Sequence, residues 1–78
     1  PSTTIKYNLK RDALVTITVY DQIGRVVKVL VKEVEDAGIN SVQWNGLNYK
    51  GEIISNGMYF FRIEAGTFDQ TKKVILIK

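Results

Sequence analysis

Apolar and polar residues alternate along this chain in short stretches divided by Gly, Asn and Asp, and no stretch sustains the spacing of an amphipathic helix. Side chains of a strand point alternately to its two faces, so each stretch can be assigned an inner and an outer side. In Thr3 to Leu9, Ile5, Tyr7 and Leu9 share one face and Lys6 and Asn8 take the other. In Ala13 to Tyr20, Val15, Ile17 and Val19 point inward and Thr16 and Thr18 outward. Asp21-Gln22-Ile23-Gly24 predicts a tight connection, because Asp caps its own turn and Gly accepts a positive φ. Arg25 to Val34 is too apolar for simple alternation, and Val27 to Leu30 stays in phase only through a bulge.

Glu35 to Gly38 reads as the next turn, and Ile39 to Trp44 as a strand whose Asn40, Val42 and Trp44 share a face, with Trp44 as core anchor. From Asn45 to Gly57 the composition turns to Asn, Gly, Lys and Ser, which predicts an irregular loop with at most a brief strand at Ile53 and Ile54. Met58 to Ala65 is a strand with Tyr59, Phe61 and Ile63 on one face and Arg62 and Glu64 on the other. A hairpin across Gly66 to Asp69 leads into Gln70 to Lys78, whose run Val74-Ile75-Leu76-Ile77 reads as apolar on both sides and flanked by lysines. The pattern predicts an all-β fold: an immunoglobulin-like or fibronectin III-like antiparallel β-sandwich of about seven strands.

The 78 residues have room for one domain, and a domain of this size hides only about 60% of the surface of its unfolded chain. Neither cysteine nor histidine is present, which excludes disulfides, thiolate sites and imidazole ligands. No apolar run is long enough for a transmembrane segment. The net charge of +3 comes from 11 basic and 8 acidic residues spread along the chain, with a local excess only at Lys72, Lys73 and Lys78. A nucleic-acid surface gathers its basic residues on one face, so no nucleic-acid partner is expected.

Candidate chemistry is sparse. With His and Cys missing, acid-base or nucleophilic work would need paired carboxylates, but Asp12, Asp21, Asp36 and Asp69 fall at turns, where Asp ordinarily binds local backbone. Glu33, Glu35 and Asp36 come nearest to a calcium cluster and offer few ligands, so no metal and no cofactor is expected. Exposed aromatic rings can stack on sugars, and Tyr20, Tyr49, Phe60 and Phe68 are the candidates, though they come from four segments. Tyr59 opens a strand after a corner, where its hydroxyl can bond back to the preceding loop, as in the tyrosine corner of Greek-key sandwiches. The apolar Val74 to Ile77 stretch suits recognition by main-chain pairing with a receptor strand.

The stretches PSTTIKYNL (1–9), VYDQIGRVVKVLV (19–31), AGINSVQWNG (37–46), NGMYFFRIEAG (56–66) and QTKKVILIK (70–78) together resemble the C-terminal sorting domain of type IX secretion cargo. Through Trp44-Asn45-Gly46 and Gly57-Met58-Tyr59 the chain is also similar to the immunoglobulin-like domain of the flagellar hook-capping protein. The first resemblance implies that residues 1–78 are one non-catalytic domain cut from a larger secreted enzyme or adhesin of a Bacteroidetes-like bacterium. It implies passage through the periplasm to the cell surface or medium, with outer-membrane translocon proteins and the parent's upstream domains as partners. On that analogy the sorting residues are Gly57 and Tyr59, matching one family motif, and Lys72, Lys73, Val74, Ile75, Leu76, Ile77 and Lys78, matching the terminal one. The second resemblance implies an assembly domain working by protein contacts, and a carbohydrate-binding appendage is the further alternative.

Overall fold

A computed structural model describes residues 2–77 and contains six strands. They are β1 (Thr3–Leu9), β2 (Ala13–Tyr20), β3 (Val26–Glu35), β4 (Gly38–Trp44), β5 (Gly57–Ala65) and β6 (Phe68–Leu76). All neighbours pair antiparallel, in a two-stranded sheet β1-β4 and a four-stranded sheet β3-β2-β5-β6. The two sheets pack as an immunoglobulin-like sandwich. The strand count is six where about seven were expected. The reason lies in the 45–56 segment, which contributes only a single bridge, Leu47 to Ile53, because its turns consume the residues a strand would need.

Alternation sorts the core as the sequence implies. Ile5, Tyr7 and Leu9 of β1 are buried against Val15, Ile17 and Val19 of β2 and Tyr59, Phe61, Ile63 and Ala65 of β5. Trp44, at 1% exposure, closes the center, with its ring edge-on to Tyr59 at 5.5 Å and to Phe61 at 5.6 Å. Its indole N–H donates to the Leu47 carbonyl at 3.0 Å, so the one polar atom of the ring is satisfied. Thr18 lies on the outer face as expected but is buried, since it sits mid-sheet between Val29 and Arg62.

The bulge expected between Val27 and Leu30 is two register shifts. β3 skips Leu30 between the pairs Ile17–Val31 and Thr18–Val29, and skips Val27 between Val19–Lys28 and Tyr20–Val26. Each shift reverses the strand's in-out phase and the two together restore it, so Val27 and Val31 still share the inner face and are both buried. At the β2–β3 turn the Asp21 carboxylate accepts the Ile23 and Arg25 amides at 3.0 and 2.9 Å, and Gly24 takes φ 86°. β5 and β6 join through Gly66 and Thr67 alone, with Gly66 at φ 62°, a tighter hairpin than the four residues expected.

Candidate protein-docking site

β6 is an edge strand, paired with β5 on one side only. In the run Val74 to Ile77, expected to be apolar on both sides, one face turns to the core and the other to solvent. Only Leu76 is buried and Val74 half-buried, while Ile75 and Ile77 stand 60% and 72% exposed and Lys72 and Lys73 lie in solvent. The cause is coverage: the two-stranded sheet is too narrow to reach β6 along its whole length. By register Lys72, Val74 and Leu76 share the inner face with Phe61, Tyr59 and Gly57, and Lys73 and Ile75 the outer face with Phe60 and Met58. Lys78 lies outside the described residues.

The two stretches that carry the sorting resemblance are therefore neighbours, since Gly57 pairs with Leu76 and Tyr59 with Val74. Tyr59 itself is 8% exposed, and its hydroxyl donates to the Ser55 carbonyl at 2.7 Å, the corner contact its position predicts. That bond ties the end of the 45–56 loop to β5, so Tyr59 shapes the fold and presents little surface to a partner. The accessible members of the set are Lys72, Lys73, Ile75 and Ile77.

Outward from β6, Tyr20, Phe60 and Lys73 form one row across the outer face, and Thr18, Arg62 and Thr71 the next. Arg62 grips Asp69 with two hydrogen bonds, 2.7 and 3.1 Å, and comes within 3.8 Å of Glu64. The guanidinium holds the Asp69 carboxyl below its usual range and is itself pushed above its own. This lattice fixes the polar half of the outer face.

The carboxylates have structural employment. Asp12 accepts the Ala37 amide at 2.8 Å, Asp21 holds the β2–β3 turn, Asp69 pairs with Arg62, and Glu35 accepts the Tyr7 hydroxyl. Burial and Glu35 together push the Tyr7 phenol well above its ordinary range. Among the described residues no three acidic groups converge as metal ligands. The four aromatic candidates do not form one platform. Tyr20 and Phe60 are cross-strand neighbours on the outer face, Phe68 lies on the inner face of β6, and Tyr49 sits on the 45–56 loop.

Asn48 escaped the sequence reading. Its side-chain oxygen accepts the Lys50 and Glu52 amides at 3.0 and 2.9 Å, and its side-chain amide donates to Glu52 at 3.0 Å. This repeats the Asp21 turn, where Arg25 returns to the Asp21 carboxylate at 2.8 Å. The signal was available in the spacing: an Asx residue three before a Gly and four before its partner occurs in both Asp21-Gln22-Ile23-Gly24-Arg25 and Asn48-Tyr49-Lys50-Gly51-Glu52.

A two-sheet antiparallel sandwich with a buried Trp and a tyrosine corner defines an immunoglobulin-like domain. The profile of the FlgD Ig-like domain family matches residues 1–69, and the chain belongs to that family. The crystal structure of FlgD from P. aeruginosa superposes with a TM-score of 0.77 at 26% identity, covering 96% of this chain. The chain spans 58% of the length of that protein. No curated protein matches. As a domain of this family it is a structural unit and not a catalytic one.

Proposed function

We propose that this domain is an assembly module of the flagellar hook-cap type, joining polypeptides through protein contacts. The carrying observation is the family match over residues 1–69 together with the fold it shares with FlgD of P. aeruginosa. An open strand edge on β6, rimmed by lysines and carrying exposed Ile75 and Ile77, supplies a surface suited to such contacts. The test is a chimera of the P. aeruginosa protein in which this chain replaces the superposable region. Swimming restored to a strain lacking its own FlgD is the expected result, and a stable chimera that leaves the cells non-motile contradicts the assignment.

A second reading, favoured by the exposure of β6, is a sorting signal for type IX secretion. The edge formed by Lys72, Lys73, Val74, Ile75 and Ile77 would pair with an outer-membrane translocon protein and carry a larger parent through the periplasm to the surface. A reporter fused ahead of the chain behind a signal peptide tests this. Surface or medium delivery only in a strain with a working type IX system supports sorting, and a folded reporter held in the periplasm of both strains removes it.

A further inference from the structure

Five asparagines lie in the chain, and two of them, Asn45 and Asn56, precede a glycine. An Asn carboxamide is an electrophile toward the amide nitrogen of the next residue, because the two can close a five-membered ring, and glycine leaves that nitrogen unhindered by a Cβ. The fold treats the two Asn-Gly pairs differently. Gly57 opens β5 opposite Leu76, and the Tyr59 hydroxyl, bonded to the Ser55 carbonyl at 2.7 Å, spans the Asn56-Gly57 peptide and holds it. Asn45 and Gly46 lie beyond the end of β4, outside every strand. There the Leu47 amide donates to Asn45 Oδ1 at 3.3 Å.

We infer that Asn45-Gly46 is a site of spontaneous backbone modification, at which Asn45 deamidates through a succinimide to aspartate and isoaspartate. A side-chain oxygen bonded to the second amide onward folds the carboxamide back over the intervening peptide, which brings Cγ toward the Gly46 nitrogen, a near-attack arrangement. The Leu47 N–H points at the oxygen on which negative charge gathers as the nitrogen adds, so it acts as an oxyanion donor. Hydroxide removes the Gly46 amide proton, the nitrogen bonds to Cγ, and the Cγ–Nδ2 bond breaks with loss of ammonia. Water then opens the ring, and attack at the main-chain carbonyl leaves isoaspartate, with one more methylene in the main chain. The Asn45 side chain is exposed to that water, while Gly46 is buried, so opening of this turn sets the pace of the reaction. Asn48 provides the contrast. It makes the same turn, accepting the Lys50 amide at 3.0 Å, but the nitrogen that follows it belongs to Tyr49 and donates to the Val27 carbonyl at 2.9 Å. Asn8 and Asn40 are held inside the β1–β4 ladder, ahead of Leu9 and Ser41. The product reaches the core, because the Trp44 indole N–H donates to the Leu47 carbonyl across this same pair, and a longer main chain stretches the loop which that bond closes.

The test holds the domain in warm, mildly alkaline buffer, folded or in urea, and follows every Asn by peptide-mapping mass spectrometry, with an isoaspartyl methyltransferase assay for isoaspartate. In the folded domain Asn45 is expected to convert about tenfold faster than Asn56, and in urea the two are expected to react at similar rates, since only the fold separates them. Asn45→Gln, which would have to close a six-membered ring, should remove the fast product from a domain that still folds. The isoaspartyl form, separated by ion exchange, should unfold at a lower urea concentration than the Asn45→Asp variant, which carries the same charge on an ordinary backbone. Asn56 converting as fast as Asn45 in the folded domain, the same ratio of the two rates folded and in urea, or no isoaspartate at Asn45 overturns the inference.

Discussion

Replacing Tyr59 by Phe removes one oxygen and leaves the ring, which isolates the corner hydrogen bond from the packing around it. The hydroxyl donates to the Ser55 carbonyl at 2.7 Å, and the ring stands edge-on to Trp44 at 5.5 Å. A net hydrogen bond contributes about 1 kcal/mol, and a carbonyl left partly buried without its donor adds a desolvation cost, so the loss is about 1–2 kcal/mol. In a domain of this size each kcal/mol moves the melting temperature by about 4–8 °C, giving an expected drop of about 5–15 °C. The chain has one tryptophan, and it lies beside the mutated ring, so its fluorescence reports the transition directly. Urea unfolding should show a lower midpoint at unchanged slope, since the surface exposed on unfolding is the same. A drop under about 2 °C would refute the reasoning, because it would mean that the corner bond contributes almost nothing beyond its solvated counterpart.

Three further outcomes follow from the same geometry. Trp44→Ala removes the central core ring at a cost of about 3–5 kcal/mol, against a total of about 4–12 kcal/mol for a chain this short, so circular dichroism should show it unfolded or nearly so at 37 °C. Gly66→Ala meets no atom within 4 Å but forces a Cβ onto φ 62°, so thermal unfolding should show a loss of about 1–2 kcal/mol with the fold intact. The backbone and side-chain bonds of Arg25 hold the Asp21 carboxyl below its ordinary value of 3.8, so its contribution is present above that pH and lost as pH falls through the lower folded value. Asp21→Asn keeps the acceptor but cannot titrate, and its stability should decline less between pH 5 and 2 than that of the wild type, as acid titration followed by fluorescence will show.

Much of the fold was legible in the sequence because each strand is half buried and so writes its inner face as every second residue. Val15, Ile17 and Val19 are an example, as are Tyr59, Phe61 and Ile63. How much of β6 is covered was not legible, for a physical reason. An unbroken apolar run such as Val74 to Ile77 fits a strand buried on both faces or an edge strand whose apolar residues await cover, and alternation cannot separate the two. What decides is the width of the opposite sheet, a property of distant pairings such as β1 with β4. The 45–56 loop was opaque for a different reason: its order comes from the Asn48 side chain and from the Tyr49 amide donating to the Val27 carbonyl, contacts that leave no periodicity behind. The candidate site inherits both problems. Its residues could be named from the motif, but only the register showed that Tyr59 and Val74 stand opposite each other, with Tyr59 facing the core.

Both functional readings use the uncovered edge of β6, and residue-resolved amide hydrogen exchange of the domain tests that edge most directly. Central strands open only with the whole molecule, whereas an edge exposes every second amide to water. The account predicts the slowest exchange in β2 and β5, with alternate amides of β6 exchanging orders of magnitude faster. Uniform protection of β6 at the level of β2 and β5 would contradict it, because the edge would then already be paired.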